Sequence, residues 1–118
     1  MTSDLVMINP EQQRLILTAI INGPRPRTTL RVWGVVMVHL ERDTGELAAS
    51  CRELAEDAVT TPDEGARALG RLAAIGALLK REPGRYAINP HVGWVGDLAT
   101  RQEAAKDVPP VRLVDPVV

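Results

Sequence analysis

Apolar residues in this chain recur mostly at helical spacing, and the spacing shortens toward that of a strand near residue 80. Ile16, Leu17, Ile20 and Ile21 repeat with a period near 3.6 behind Asn9-Pro10. Asn9 can cap a helix and Pro10 fits its first turn. Gly23-Pro24 stops the element. A strand over 14–21, folded back on the apolar run 4–8, competes with this reading because the segment is rich in β-branched residues. Helix is the preferred reading. Leu30, Trp33, Val36, Met37 and Leu40 then mark a second helix, with Thr28 or Thr29 as cap and an end near Glu41-Arg42-Asp43. A short strand over 46–49 follows.

Ser50 and Glu53 form a capping box, which predicts a helix over 51–58 with Leu54, Ala55 and Ala58 inside. Thr61-Pro62-Asp63-Glu64 repeats the signature, with Thr61 as cap. The helix it opens is expected to bury Ala66, Leu69, Leu72, Ala73 and Ile75 and to stop at Gly76. Gly65 and Gly70 inside it each cost roughly 1 kcal/mol relative to Ala, so the helix is short or its backbone lies close to something. Residues 78–88, turning at Pro83-Gly84, read as a β-hairpin. After Asn89-Pro90 the pattern weakens. A short helix over 98–106 is expected, and the chain from Pro109 onward is expected to be extended or mobile.

Composition sharpens this outline. The 118 residues, 45% hydrophobic and 25% charged, suit one globular domain. Residues 25–91 form its expected core unit, flanked by 1–24 and 92–118. Aromatics are confined to Trp33, Trp94 and Tyr86, so the core must come from Leu, Ile, Val and Ala, which favours close-packed helices. Cys51 is alone, which leaves no intrachain disulfide and no thiolate zinc cluster. His39 and His91 stand far apart without partners at metal-ligand spacing, so no metal is expected. Asp4 and the absence of a basic stretch argue against a secretory leader, and the apolar runs are too short to span a bilayer. The expectation is a cytoplasmic protein.

Net charge is −1, yet the charges are segregated. Residues 1–40 carry +2, residues 41–64 carry −6, residues 65–91 carry +4 and residues 92–118 carry −1. Local field, not total charge, decides whether phosphate is bound.

The order of elements is helix, short strand, short helix, tight turn at Val59-Thr60-Thr61, helix, hairpin. That is the layout of a winged helix-turn-helix: mainly α with a small β-hairpin wing. Its second motif helix would enter a major groove with Thr60 and Thr61 at its start and Asp63, Arg67 and Arg71 on its outer face. Arg67 and Arg71 are one turn apart and could address the same groove. Lys80, Arg81 and Arg85 on the hairpin could follow the backbone or dip into the minor groove.

Residues 28–96 resemble the winged-helix plasmid replication proteins of the RepL type and, more loosely, bacterial winged-helix repressors. The resemblance rests on Arg52-Glu53-Leu54-Ala55-Glu56, on Leu69-Gly70-Arg71-Leu72, on Ile75-Gly76-Ala77-Leu78, and above all on Gly84-Arg85-Tyr86-Ala87-Ile88-Asn89-Pro90 followed by Gly96. It implies sequence-specific binding of double-stranded DNA, in plasmid replication control or as an autoregulatory repressor of a mobile element. Contact with host replication or transcription machinery is implied with it. One such motif reads few base pairs, so a homodimer is expected, joined through 5–8, 15–21 and the Val-rich tail.

Each signal has a plainer reading. Arg67 and Arg71 could belong to a solvated ladder with Asp63. The hairpin cations could serve to block edge pairing. Arg25, Arg27 and Arg31 suit a solvated helix start. Trp33 and Trp94 read as core residues, and Tyr86 is expected to pack on the second motif helix. Cys51 reads as a small residue at a helix start, and the acidic stretch 41–64 as a solvated face. No phosphate loop, His-Glu-x-x-His, nucleophile elbow or Cys–His dyad is present, so neither catalysis nor a cofactor is expected. The rival class is a winged helix that binds protein and has no DNA affinity, favoured by the acidic block.

Overall fold

The computed structural model describes residues 5–112. Among them are five helices, a β-hairpin and a second antiparallel strand pair. No helix of the described residues is long and apolar enough to cross a membrane.

The first helix, α1 (Pro10–Ile21), starts as its sequence dictates. The Asn9 side chain accepts the N–H groups of Glu11 and Gln12, and Pro10 occupies the first turn. Ile16 and Ile20, one turn apart, are fully buried. The strand alternative for 14–21 is therefore overturned. Strand β1 (Leu5–Ile8) pairs instead with β4 (Gly93–Gly96), in the region where the sequence pattern fades. Gly93 and Gly96 are there because neighbours leave no room. A Cβ at Gly93 would come within 3.2 Å of Met37 Cε, and one at Gly96 would fall on the Asp43 carboxylate.

Helix α2 (Pro26–Val38) begins earlier than Thr28 and without a side-chain cap, its N-cap Arg25 lying at φ 50°. Val32, Trp33 and Val36 are buried, and the Trp33 indole N–H donates to Gln13 Oε1 at 3.0 Å. Helix α3 (Cys51–Asp57) carries the reciprocal capping box, both bonds at 3.2 Å. Helix α4 (Pro62–Ile75) is capped by Thr61 and ends at Gly76, φ 93°. The hairpin pairs β2 (Leu78–Glu82) with β3 (Arg85–Ile88), with an irregularity between Lys80 and Glu82. The strand expected over 46–49 shrinks to isolated bridges, Leu40 with Leu47 and Glu46 with Ala87. Helix α5 (Leu98–Ala105) closes the set.

Two buried polar side chains hold the flanks to the centre, which is how a buried polar group avoids its desolvation cost. Asn89 donates to Gly76 O and to Pro109 O, both at 2.9 Å, and accepts the His91 N–H. Gln12 grips the Val111 backbone at both its N–H (2.7 Å) and its C=O (3.1 Å). The chain from Pro109, expected to be extended or mobile, runs over 109–112 without helix or strand and is anchored at Pro109 and Val111. Residues 113–118 lie outside the described residues. The apolar flanks divide likewise: Ile16 and Ile20 belong to the monomer core, while Val6, Ile8, Leu17 and Ile21 are exposed.

Candidate functional site

The corner between α3 and α4 is set by the close approach of the Gly65 backbone to Ala55. A Cβ added at Gly65 would lie 2.6 Å from the Ala55 Cβ. No larger residue fits without moving a helix, so the cost of glycine at this position purchases close approach. Gly70 has open space around it and no such role. Thr60 closes α3, its N–H (2.9 Å) and its hydroxyl (3.2 Å) both donating to Ala55 O. Its hydroxyl is committed to the corner rather than displayed to a ligand. The Thr61 hydroxyl accepts the Glu64 N–H at 3.2 Å. Val59 makes the turn at φ 56°, a left-handed conformation that costs a β-branched residue of order 1–3 kcal/mol.

The buried face of α4 comprises Gly65, Ala68, Leu69 and Leu72. Of the expected set Leu69 and Leu72 are buried, Ala73 and Ile75 are partly buried against the core, and Ala66 is exposed. Asp63, Arg67, Gly70 and Ala74 point outward, all exposed. Arg67 forms no ion pair among the described residues, so the ladder with Asp63 is absent. Arg71 does not share this face. It sits on the flank, partly buried, with Nη1 donating to Thr29 Oγ1 on α2 at 2.8 Å. Arg67 and Arg71 are thus engaged differently, the first exposed without an ion-pair partner among the described residues and the second held against α2. Gly65 rather than Ala66 turns inward because it meets Ala55, a contact no local pattern announces.

On the hairpin, Lys80 and Arg81 are exposed and have no ion-pair partner among the described residues. Arg85 differs, lying 3.7 Å from Glu46 and 3.8 Å from Glu82. A polar cavity of about 330 Å³ separates the hairpin from the start of α3. Cys51 Sγ donates to Gly84 O there at 3.4 Å, tying α3 to the hairpin tip. Tyr86 lines the same cavity, and its neighbours in it come from α3, the hairpin and the 46–50 segment, none from α4. Burial, and then the Cys51 thiol beside it, pushes the Tyr86 phenol above its ordinary range.

The acidic segment has been absorbed by local partners. Glu41 accepts the Thr44 hydroxyl, Glu46 faces Arg85, Glu53 sits in the capping box, Glu56 pairs with Arg52, and Asp57 lies 2.7 Å from His39. Asp43 is the most committed. It accepts from the Asp97 N–H (3.1 Å) and the Thr100 hydroxyl (2.9 Å), and these bonds, aided by Arg42, hold its carboxyl below the usual carboxylate range. Thr100 in turn accepts the Trp94 indole N–H at 3.2 Å. Asp63 and Glu64 stand in the first turn of α4, where the helix dipole favours a negative charge.

His39 is used by Asp57, and His91 Nε2 lies 2.7 Å from Val108 O. Among the described residues no group of three or more His, Cys, Asp and Glu side chains is placed to hold a metal ion. The cations left without an ion-pair partner among the described residues are Arg67, Lys80 and Arg81, with Arg25, Arg27 and Arg31 exposed at the start of α2. No family model matches the chain, and neither the curated proteins nor the solved structures contain a significant match to it.

Proposed function

We propose that the chain is a winged-helix protein that binds double-stranded DNA, with α4 in the major groove and the β2–β3 hairpin as the wing. The observation that carries this reading is the exposed outer face of α4. It presents Arg67 without an ion-pair partner among the described residues, with Asp63 one turn before it and the small residues Ala66, Gly70 and Ala74 beside it, which leave the backbone open to close approach. The element order α2, the 46–49 bridges, α3, α4, β2, β3 supports the winged-helix assignment. Thr61 and Asp63 would stand at the groove edge, Arg67 would reach bases or phosphate, and Lys80 and Arg81 would follow the backbone. Arg85, neutralised by two glutamates, would contribute less. Arg71 would brace α4 against α2.

In this reading the protein acts as a homodimer on a half-palindromic site, its exposed Val6, Ile8, Leu17 and Ile21 forming the contact between copies. The resemblance to RepL-type replication proteins would imply a role in plasmid replication control or autoregulatory repression. Gel shift against the DNA flanking its own gene, with molecular mass measured in the same buffer, tests the assignment. A discrete complex of two protomers per site supports it. Equal affinity for every duplex sequence counts against specific recognition.

A second reading, a protein-binding winged helix, draws on a specific patch. Val38 (78% exposed) and Val59 (79% exposed) are bare apolar side chains near the acidic end of α3. Its signature is the absence of a salt-dependent duplex complex.

A further inference from the structure

Arg71 stands out because its surroundings do not suit a cation. It lines a cleft of about 200 Å³ whose other walls are Ala19, Ile20, Pro24, Ala74 and Ile75, closed by Thr29. No carboxylate lines this cleft, and Arg71 forms no ion pair among the described residues. The guanidinium carries five N–H donors. Its one hydrogen bond among the described residues is Nη1 to Thr29 Oγ1, and the Thr29 hydroxyl is itself spent on Arg25 O at 3.1 Å. A partly buried guanidinium with further N–H donors beside apolar walls offers an anion a directional partner.

We propose that this cleft is a binding site for a small apolar monocarboxylic acid, its carboxylate on Arg71 and its hydrocarbon body between α1 and α4. Apolar walls with one convergent polar group are the usual make-up of a small-molecule site. The planar fork of arginine matches a carboxylate with two parallel charge-assisted bonds. A free phosphate has the matching oxygens but no apolar body, and stripping its hydration against Ile20 and Ile75 is unfavourable. The volume suits a single ring or a short alkyl chain. The bound acid would touch α1, α4 and the turn between α1 and α2 together. The proposal does not rest on DNA binding, and its test contains no nucleic acid.

The experiment titrates the full chain with benzoate, benzamide and inorganic phosphate, reading calorimetry and backbone amide shifts. Benzoate is expected to bind and to move the amides of Ala19, Ile20, Ala74 and Ile75. Benzamide, the neutral isostere, should bind at least about tenfold more weakly, and phosphate should leave these amides in place. Arg71→Gln should weaken benzoate by about tenfold or more, with Arg71→Lys between. Ala74 is exposed at the rim, so Ala74→Leu can fill the cleft without disturbing the core, and it should abolish benzoate binding in a protein whose other amides are unmoved. The proposal is overturned if benzoate leaves these amides unmoved at about 10 mM, or binds folded Arg71→Gln as tightly as the parent. It is also overturned if the amides shift with protein concentration alone, which would assign the cleft to a second copy.

Discussion

The acidic segment 41–57 and the cationic region from α4 to the hairpin have opposite fates in the fold. Nearly every acid in the first is held by a neighbour: Glu53 by its own helix cap, Glu46 by Arg85, Asp57 by His39, Asp43 by Thr100 and the Asp97 N–H. In the second, Arg67, Lys80 and Arg81 have no such partner among the described residues. The first region carries a formal charge of −4 and the second +2, and their side chains are partnered differently. Glu53 and Glu41 accept from neutral donors and keep their charge, whereas Glu46 and Glu56 face an arginine. The acids are thus committed to protein partners on one segment while the free cations stand on another, and a molecule of net charge −1 can offer a local cationic face.

The comparison breaks most visibly if the free cations are reversed. Replacing Arg67, Lys80 and Arg81 together by Glu should lower duplex affinity by roughly a hundredfold or more at low salt and flatten its salt dependence. Fluorescence anisotropy on a labelled duplex reads this, with the thermal midpoint as a check on folding. Ser50→Ala probes the other region. Loss of the capping box should cost about 1 kcal/mol of stability by urea titration and leave the salt slope of DNA binding unchanged. Glu46→Gln sharpens the contrast by moving Arg85 from the paired set toward the free one. Affinity for duplex should rise a few-fold, and the salt slope should steepen by up to about 0.9.

The smallest effect concerns Asp43. Its carboxyl is held below its ordinary value, so its contribution to stability is present above the unfolded-state pKa near 3.8 and is lost as pH falls through the lower folded value. Parent and Asp43→Asn should differ in unfolding free energy at neutral pH, and the gap should close below that range. A gap that widens on acidification would contradict the Thr100 and Asp97 bonds as its cause.

Local signals were read most readily where the physics is local. Asn9-Pro10, Ser50 with Glu53, and Thr61-Pro62 announce three helix starts because each cap is satisfied within three residues. Pro83-Gly84 announces the hairpin for the same reason, with Gly84 at φ 76°. The strand Gly93–Gly96 gives no such notice. Its glycines answer to Met37 and Asp43, distant in sequence, and alternation cannot show through them. The grip of Gln12 on Val111 spans 99 positions and is invisible to any window.

The candidate site was legible in part. The corner, α4 and the cationic hairpin were anticipated, and Gly65 carried a readable hint that a backbone lay close by. Within the face of α4 only Ala66 departs from the reading, because Gly65 turns inward in its place, and the bond of Arg71 to Thr29 on α2 was hidden by their separation in sequence. The partnering of the acids was also hidden. Glu53 and Glu56 have local partners, but Asp57 with His39, and Glu46 with Arg85, meet only in the folded chain.

The central claim is that unpaired cations on α4 and the hairpin make a surface for duplex DNA despite the net negative charge. The most direct measurement is the affinity of the full chain for a duplex across a series of salt concentrations. The account predicts that log K falls linearly with log salt, with a slope of about −2 to −3 for one protomer's Arg67, Lys80 and Arg81. A complex whose affinity is indifferent to salt, or no complex at low salt, would contradict it.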